Sequence, residues 1–217
     1  MTNLEVEKYR KPVRVLHWVH SGSFVFLFLT GLVLFIPGLG FLAQDSWTRL
    51  VHRIAAAVFV IAPVIYIILD PRSVARGLKQ AFTWGREDIG WLKAAPGYYF
   101  QGYEEGMPPQ DAMNTGQKMW WFVVIVFGAV FVLTGAILWF FKTIAPASVL
   151  QWMVFVHDIS FVFTGVMFFL HIYLGVFHPL MTESWGAMVT GKISAGYARA
   201  HHAKWYAEIS QGKEDKV

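Results

Sequence analysis

Residues 149–178 read VLQWMVFVHDISFVFTGVMFFLHIYLGVFH, with Asp158 the one acidic residue and no Lys or Arg. A hydrocarbon core takes about 20 residues of helix to cross, so this run is a membrane span. Within it His157 and His171 stand 14 residues apart. That spacing is ~21 Å along a helix and brings the two side chains to within ~40° of one face. One side of a membrane helix therefore carries two imidazoles at two depths. Ionisable groups inside a membrane are functional candidates by default.

Working outward, three more apolar runs cover residues 16–36, 50–69 and 119–141. Each matches the length of a span. The first is too long for a secretory signal, and no small-x-small cleavage pattern follows it in residues 37–47, so it reads as a retained helix. The fold class expected is an all-α integral membrane protein. It is a single membrane domain over residues 1–217, a bundle of four transmembrane helices with no internal repeat. Composition agrees: of 217 residues, 56% are hydrophobic and 15% charged, against about a quarter charged in a soluble domain. That balance excludes a disordered chain, a nucleic-acid-binding tail and an ordinary cytosolic enzyme. Cys is absent, which excludes disulfides, protein-held iron–sulfur clusters, covalently attached c-type haem and thiolate nucleophiles.

Basic residues set the orientation. Four precede the first run (Lys8, Arg10, Lys11, Arg14), and six lie between the second and third (Arg72, Arg76, Lys79, Arg86, Lys93, Lys118). Five follow the fourth (Lys192, Arg199, Lys204, Lys213, Lys216), leaving only Arg49, Arg53 and Lys142 for the other side. An even number of spans with both termini cytoplasmic satisfies the positive-inside rule, and places the chain as a multi-pass protein of a bacterial or archaeal cytoplasmic membrane. Residues 70–118 then form a long cytoplasmic loop with short helical pieces; a structureless connection of that length would be unusual. Residues 179–217 form a cytoplasmic tail. Its amphipathic part, 191–208, is expected along the membrane surface or against a partner.

Depth sorts the histidines. His17 and His20 open the first span near the cytoplasm, and His52 opens the second near the outer face. His157 is outer and His171 inner. Matching by depth pairs His52 with His157, and His17 or His20 with His171. Two bis-histidine sites stacked in a four-helix bundle are the arrangement of a dihaem b-type cytochrome. Gly22, Gly31, Gly165 and Gly175 would let porphyrin edges or neighbouring helices approach closely. A zinc site would want three or four ligands close together, whereas these pairs lie far apart. A proton-conducting histidine pathway is the competing reading. His178, seven residues beyond His171, is expected at the interface.

Several motifs carry a family resemblance. They are His17-Trp18, Arg49-Leu50-Val51-His52, Asn114-Thr115-Gly116-Gln117-Lys118-Met119, the His157/His171 spacing, and the tail His201-His202-Ala203-Lys204-Trp205-Tyr206-Ala207-Glu208-Ile209. Over nearly its whole length the chain resembles the membrane cytochrome b (gamma) subunit of respiratory formate dehydrogenase. The resemblance implies two haem b groups, the outer held by His52 and His157 and the inner by His17 and His171, favouring His17 over His20. It implies a quinone, typically menaquinone, beside the inner haem, with Asn114, Gly116 and Gln117 near its head group. Side-chain amides and free N–H groups at a helix N-terminus suit a quinone oxygen; Asn114 as a simple helix cap is the bland alternative. Asp111, Glu104 and Glu105 are candidate proton-relay groups, or solvated loop charges. Asp158 departs from the family, which usually has a small apolar residue there.

The expected role is thus electron transfer, from an iron–sulfur subunit on the outer side to a quinone near the cytoplasm. No residue is expected to be catalytic towards formate. That chemistry would belong to a molybdenum- or tungsten-containing partner, in a complex that can form a higher oligomer. The histidine positions alone also fit the cytochromes of nickel–iron hydrogenases and thiosulfate reductases. A haem-free proton-linked membrane protein is the remaining alternative.

Overall fold

A computed structural model describes residues 4–44, 46–103 and 106–214, with side chains as far as residue 211. Among the described residues four helices are long and apolar enough to cross a membrane: α1 (Lys11–Phe35), α2 (Trp47–Leu69), α5 (Thr115–Phe140) and α6 (Ala147–Ile172). The last continues through a π-turn, Tyr173–Phe177. Between α2 and α5 lie α3 (Pro71–Phe82) and α4 (Arg86–Gln101). The chain closes with α7 (Thr182–Thr190), α8 (Ala195–His201) and α9 (Ala203–Glu214). Strands β1 (Glu5–Glu7) and β2 (Lys192–Ser194) pair antiparallel, with Val6 opposite Ile193. The spans run a few residues past their apolar cores: α1 starts at Lys11, and α5 reaches back to Thr115, after the capping Asn114.

The described chain divides into two compact units. One holds residues 15–74 and 123–170, most of the spanning lengths. Its helices meet through aromatic rings and small residues. Gly31 on α1 faces the Phe161 ring on α6, while Gly165 on α6 faces Phe28 on α1; a Cβ at either glycine would lie 3.1 or 3.0 Å from a ring carbon. Two of the four glycines singled out by the sequence thus admit aromatic rings from the neighbouring helix, and Gly22 opens onto free space. Phe127 of α5 stacks on Phe163 of α6 at 4.6 Å. The buried residues in this unit are small, among them Ser23, Ala55, Thr134, Ser160 and Thr164.

The other unit holds residues up to 14, 75–122 and from 171 onward. Its core is Val6, Ala187, Ile193 and Ala198, with Tyr9, Tyr197, Trp205, Tyr206 and Ile209 packed against it. The amphipathic tail therefore turns its apolar face onto the N-terminal strand of its own chain.

Candidate functional site

His52, in the second turn of α2, and His157, on α6, lie beside each other with ring centroids 6.4 Å apart and planes inclined at 55°. A metal–imidazole bond is ~2.0–2.1 Å and the ring centre sits about 1.1 Å behind the nitrogen, so two imidazoles that shared one metal would have ring centres no more than ~6.3 Å apart. Each ring is held from behind by a threonine. Thr30 Oγ1 is 2.8 Å from His52 Nδ1, and Thr134 Oγ1 is 2.8 Å from His157 Nδ1. Each hydroxyl already donates its one proton one turn back along its own helix, Thr30 to the Phe26 carbonyl at 2.6 Å and Thr134 to the Val130 carbonyl at 2.7 Å. The oxygen must therefore accept from the imidazole. Both histidines are fixed as the Nδ1–H tautomer, leaving Nε2 with a free lone pair, which is what a metal ligand requires. Phe131 stands edge-on to His157 at 5.0 Å, and Gly135 leaves room beside the ring.

Sequence reading missed the two threonines. A signal was present: Leu29-Thr30-Gly31 and Leu133-Thr134-Gly135 repeat towards the C-terminal ends of α1 and α5. Each threonine precedes its histidine by nearly the same distance, 22 and 23 residues. The two helical hairpins are local copies in this respect, a likeness hidden when each span is read singly.

The remaining histidines take different places. His17, in the first turns of α1, makes an edge contact with Trp18 at 5.1 Å. His20 stacks on Phe59 of α2 at 3.9 Å. His171, in the other unit, lies flat on the Trp120 ring at 4.5 Å and 7°. His178 is buried; Nε2 donates to the Tyr99 carbonyl at 2.9 Å while Nδ1 accepts from the Leu180 amide. Both its nitrogens are used, so it is a structural tie rather than an interfacial side chain.

The start of α5 is a reciprocal cap. Asn114 Oδ1 accepts from the Gln117 amide at 2.9 Å, and Gln117 Oε1 accepts from the Asn114 amide at 3.0 Å; the pattern satisfies two of the helix's orphan donors. Gln117 Nε2 donates to the Tyr9 hydroxyl. Gly116 lets the Trp91 ring lie on the turn, for a Cβ there would come within 3.0 Å of it. Thr115 is fully buried and donates to Asp88, which Lys118 also bonds at 2.9 and 3.1 Å. Burial alone would raise the Asp88 pKa, but the bonds from Lys118, Thr115 and the Gly85 amide pull it below its ordinary value. A cavity of about 130 Å³ adjoins Asn114, walled by Trp91, Tyr98, Tyr99, Gln110 and His201. Asp111 lies beside it in sequence, capping its neighbour's amide; Glu104 and Glu105 lie outside the described residues. Asp158 is half-buried on α6.

The profile described as Prokaryotic cytochrome b561 matches residues 8–191. The chain belongs to the prokaryotic cytochrome b561 family. It is also similar to the nitrate-inducible formate dehydrogenase cytochrome b556(Fdn) subunit of Escherichia coli K12, 26% identical over 94% of this chain and 91% of the relative. The formate dehydrogenase cytochrome b556(fdo) subunit of the same organism is 26% identical over 98% and 97%. The cytochrome b556 subunit of Haemophilus influenzae formate dehydrogenase is 26% identical over 96% and 86%. As a cytochrome b561-family member the protein is a multi-pass membrane protein for which haem b is implied. The His52–His157 pair fits that group: two imidazoles, each bonded at Nδ1 by a threonine, 6.4 Å apart among small buried residues.

Proposed function

We propose that this cytochrome b561-family chain is the dihaem membrane subunit of a formate dehydrogenase complex. It would take electrons from an iron–sulfur subunit on the outer side and deliver them to a quinone, menaquinone by the resemblance, near the cytoplasm. The observation that carries the reading is the threonine-locked pair His52 and His157. When bound, haem b supplies a one-electron relay. His52 and His157 would hold one haem on the outer side. His17 and His171 are assigned to a second haem by depth along the bundle and by the resemblance. Trp120, stacked on His171, would keep that imidazole from rotating. On the quinone side Asn114 and Gln117 present amides at the head of α5, with Gly116 between them. With electrons entering outside and protons taken up inside, reduction would separate charge across the membrane.

A reduced-minus-oxidised spectrum tests this. The intact complex should show two b-type haems, His157→Ala should lose one, and His171→Ala the other. A native complex without b-type absorbance would refute the assignment. Because Asn114 and Gln117 cap α5, alanine at either confuses two roles. Asn114→Asp and Gln117→Glu keep the capping oxygens while exchanging each amide donor for a charged carboxylate oxygen; they should slow quinone reduction with haem content unchanged.

A further inference from the structure

Lys8 and Lys118 are both lysines drawn into the packed unit that carries Asn114 and Gln117; Lys118 is held by Asp88, whereas Lys8 faces no carboxylate within ion-pair distance among the described residues. Its backbone is fixed there: the amides of Lys8 and Tyr9 both donate to the Gly191 carbonyl, at 2.7 and 3.0 Å. Gly191 has φ +91°, and a Cβ would sit 2.7 Å from the Tyr9 carbonyl oxygen, so only glycine closes this turn. The Lys8 ammonium donates to the Ala112 carbonyl at 2.6 Å and stands 4.3 Å over the Trp205 ring. Part of the side chain still reaches solvent. On its inner side is a cavity of about 10 Å³, bounded by Lys8, Tyr9, Gln117, Ser184, Tyr197 and His202. That is room for one water with several polar partners. The Tyr9 hydroxyl accepts from Gln117 Nε2 at 3.3 Å, so its own proton is available to another acceptor.

From this placement we infer that Lys8 is the proton donor to the quinone site, passing protons through a single water and the Tyr9 hydroxyl to the turn Asn114–Gln117. The inference rests on the quinone reading above. Quinone reduction to quinol consumes two electrons, supplied by the reduced complex, and two protons. Each proton leaves the Lys8 ammonium, is relayed by Tyr9 as one O–H forms and another breaks, and is replaced on the neutral amine from cytoplasmic water.

The surrounding charges leave this role to Lys8. Lys118 is paired with Asp88, Arg199 lies over Tyr206, Lys192 pairs with Glu5, Lys204 with Glu87, and Glu183 accepts from Ser194. His201 donates to the Tyr197 carbonyl. His202 donates Nδ1–H to the Asp111 carbonyl, and burial, aided by the Lys8 charge, holds it down at about 3, neutral at any working pH. Burial raises Tyr9, against the bond from Gln117, and raises Tyr197 as well. Burial lowers Lys8 to about 7, with Asp111 opposing it. Lys8 thus exchanges its proton near neutrality.

The test uses the intact complex, pre-reduced and mixed with a short-chain naphthoquinone from pH 6 to 9, following haem reoxidation and, with an indicator dye, proton uptake. In the native complex the rate should fall about tenfold per pH unit above ~7, as the donor loses its proton. Lys8→Met should lower the rate at pH 6 at least ~tenfold and abolish the inflection, with haem content and quinone KM retained. Lys8→Arg, a cation that keeps its proton, should behave like Lys8→Met. A native rate and inflection in Lys8→Met would overturn the inference; should that variant fail to assemble, native behaviour in Tyr9→Phe would overturn it. A native complex that quinone does not reoxidise at any pH would remove the quinone reading, and this inference with it.

Discussion

Replacing Thr134 by Val deletes one hydroxyl and keeps the side chain's shape. In the native protein that oxygen accepts the His157 Nδ1–H at 2.8 Å while donating to the Val130 carbonyl at 2.7 Å. The valine leaves a buried Nδ1–H without its acceptor, a cost of about 1–3 kcal/mol. With His157 holding haem b as proposed, it would also make the imidazole a poorer donor to iron, and the ferric state depends on that donation more than the ferrous state. If the lost bond is worth about 0.5–1.5 kcal/mol more in the ferric form, the potential rises by ~20–60 mV, at 59 mV per tenfold for one electron. Loss of such an outer partner typically lowers affinity for the bound group 10–100-fold, or about 1.4–2.8 kcal/mol. The assay is a spectroscopic redox titration of the purified complex with quantified haem. Expected is an upward shift of one haem only, with partial loss of that haem at low supply. Thr30→Val should act alike through His52, and Thr134→Ser should restore native behaviour. Thr164→Val is the control, since Thr164 is equally buried but donates to the Ser160 carbonyl. An unshifted potential with full haem in Thr134→Val, or an equal shift in Thr164→Val, would refute the tautomer argument.

Two further outcomes probe the scaffold. Gly165→Ala would put a Cβ 3.0 Å from the Phe28 ring, which Phe24, Phe161, Phe168 and Phe169 hem in. Unable to yield, it should cost about 1–3 kcal/mol in thermal unfolding, whereas Gly22→Ala, with open space around it, should be neutral or stabilising. Asp88→Ala should strip Lys118, Thr115 and the Gly85 amide of their shared partner, opening the head of α5 by ~3–5 kcal/mol in hydrogen exchange. Because the Asp88 pKa is depressed, its contribution is present above the unfolded carboxylate value of about 3.9 and fades as pH falls through the lower folded value. Exchange protection at α4 and α5 should accordingly hold from pH 7 to ~5 and drop below ~4; an Asp88→Ala protein with native protection at pH 7 would count against it.

What could be read from sequence follows the physics of the membrane. A span is a one-dimensional pattern, so the four helices were visible as apolar runs, and a charge-poor environment made each histidine conspicuous. His52 and His157 could be paired because depth along a helix is additive at a fixed rise. Thr30 and Thr134 gave no comparable signal, since a threonine in an apolar run is ordinary; its importance appears only when a neighbouring helix brings Nδ1 to its oxygen. Lys8 was counted only as one more topological charge in the basic N-terminus. It becomes chemically distinct because β1 pairs with β2 and Gly191 turns the chain inward, a long-range closure between residues 8 and 191 that no local window contains. The tail motif has the same origin: His202 bonds the Asp111 carbonyl, the Lys204 amide bonds Gln110, and Trp205 underlies Lys8. These side chains do not form a separate surface element. They hold the segment before α5 in place, so the tail, the N-terminal strand and the α5 cap act as one structure.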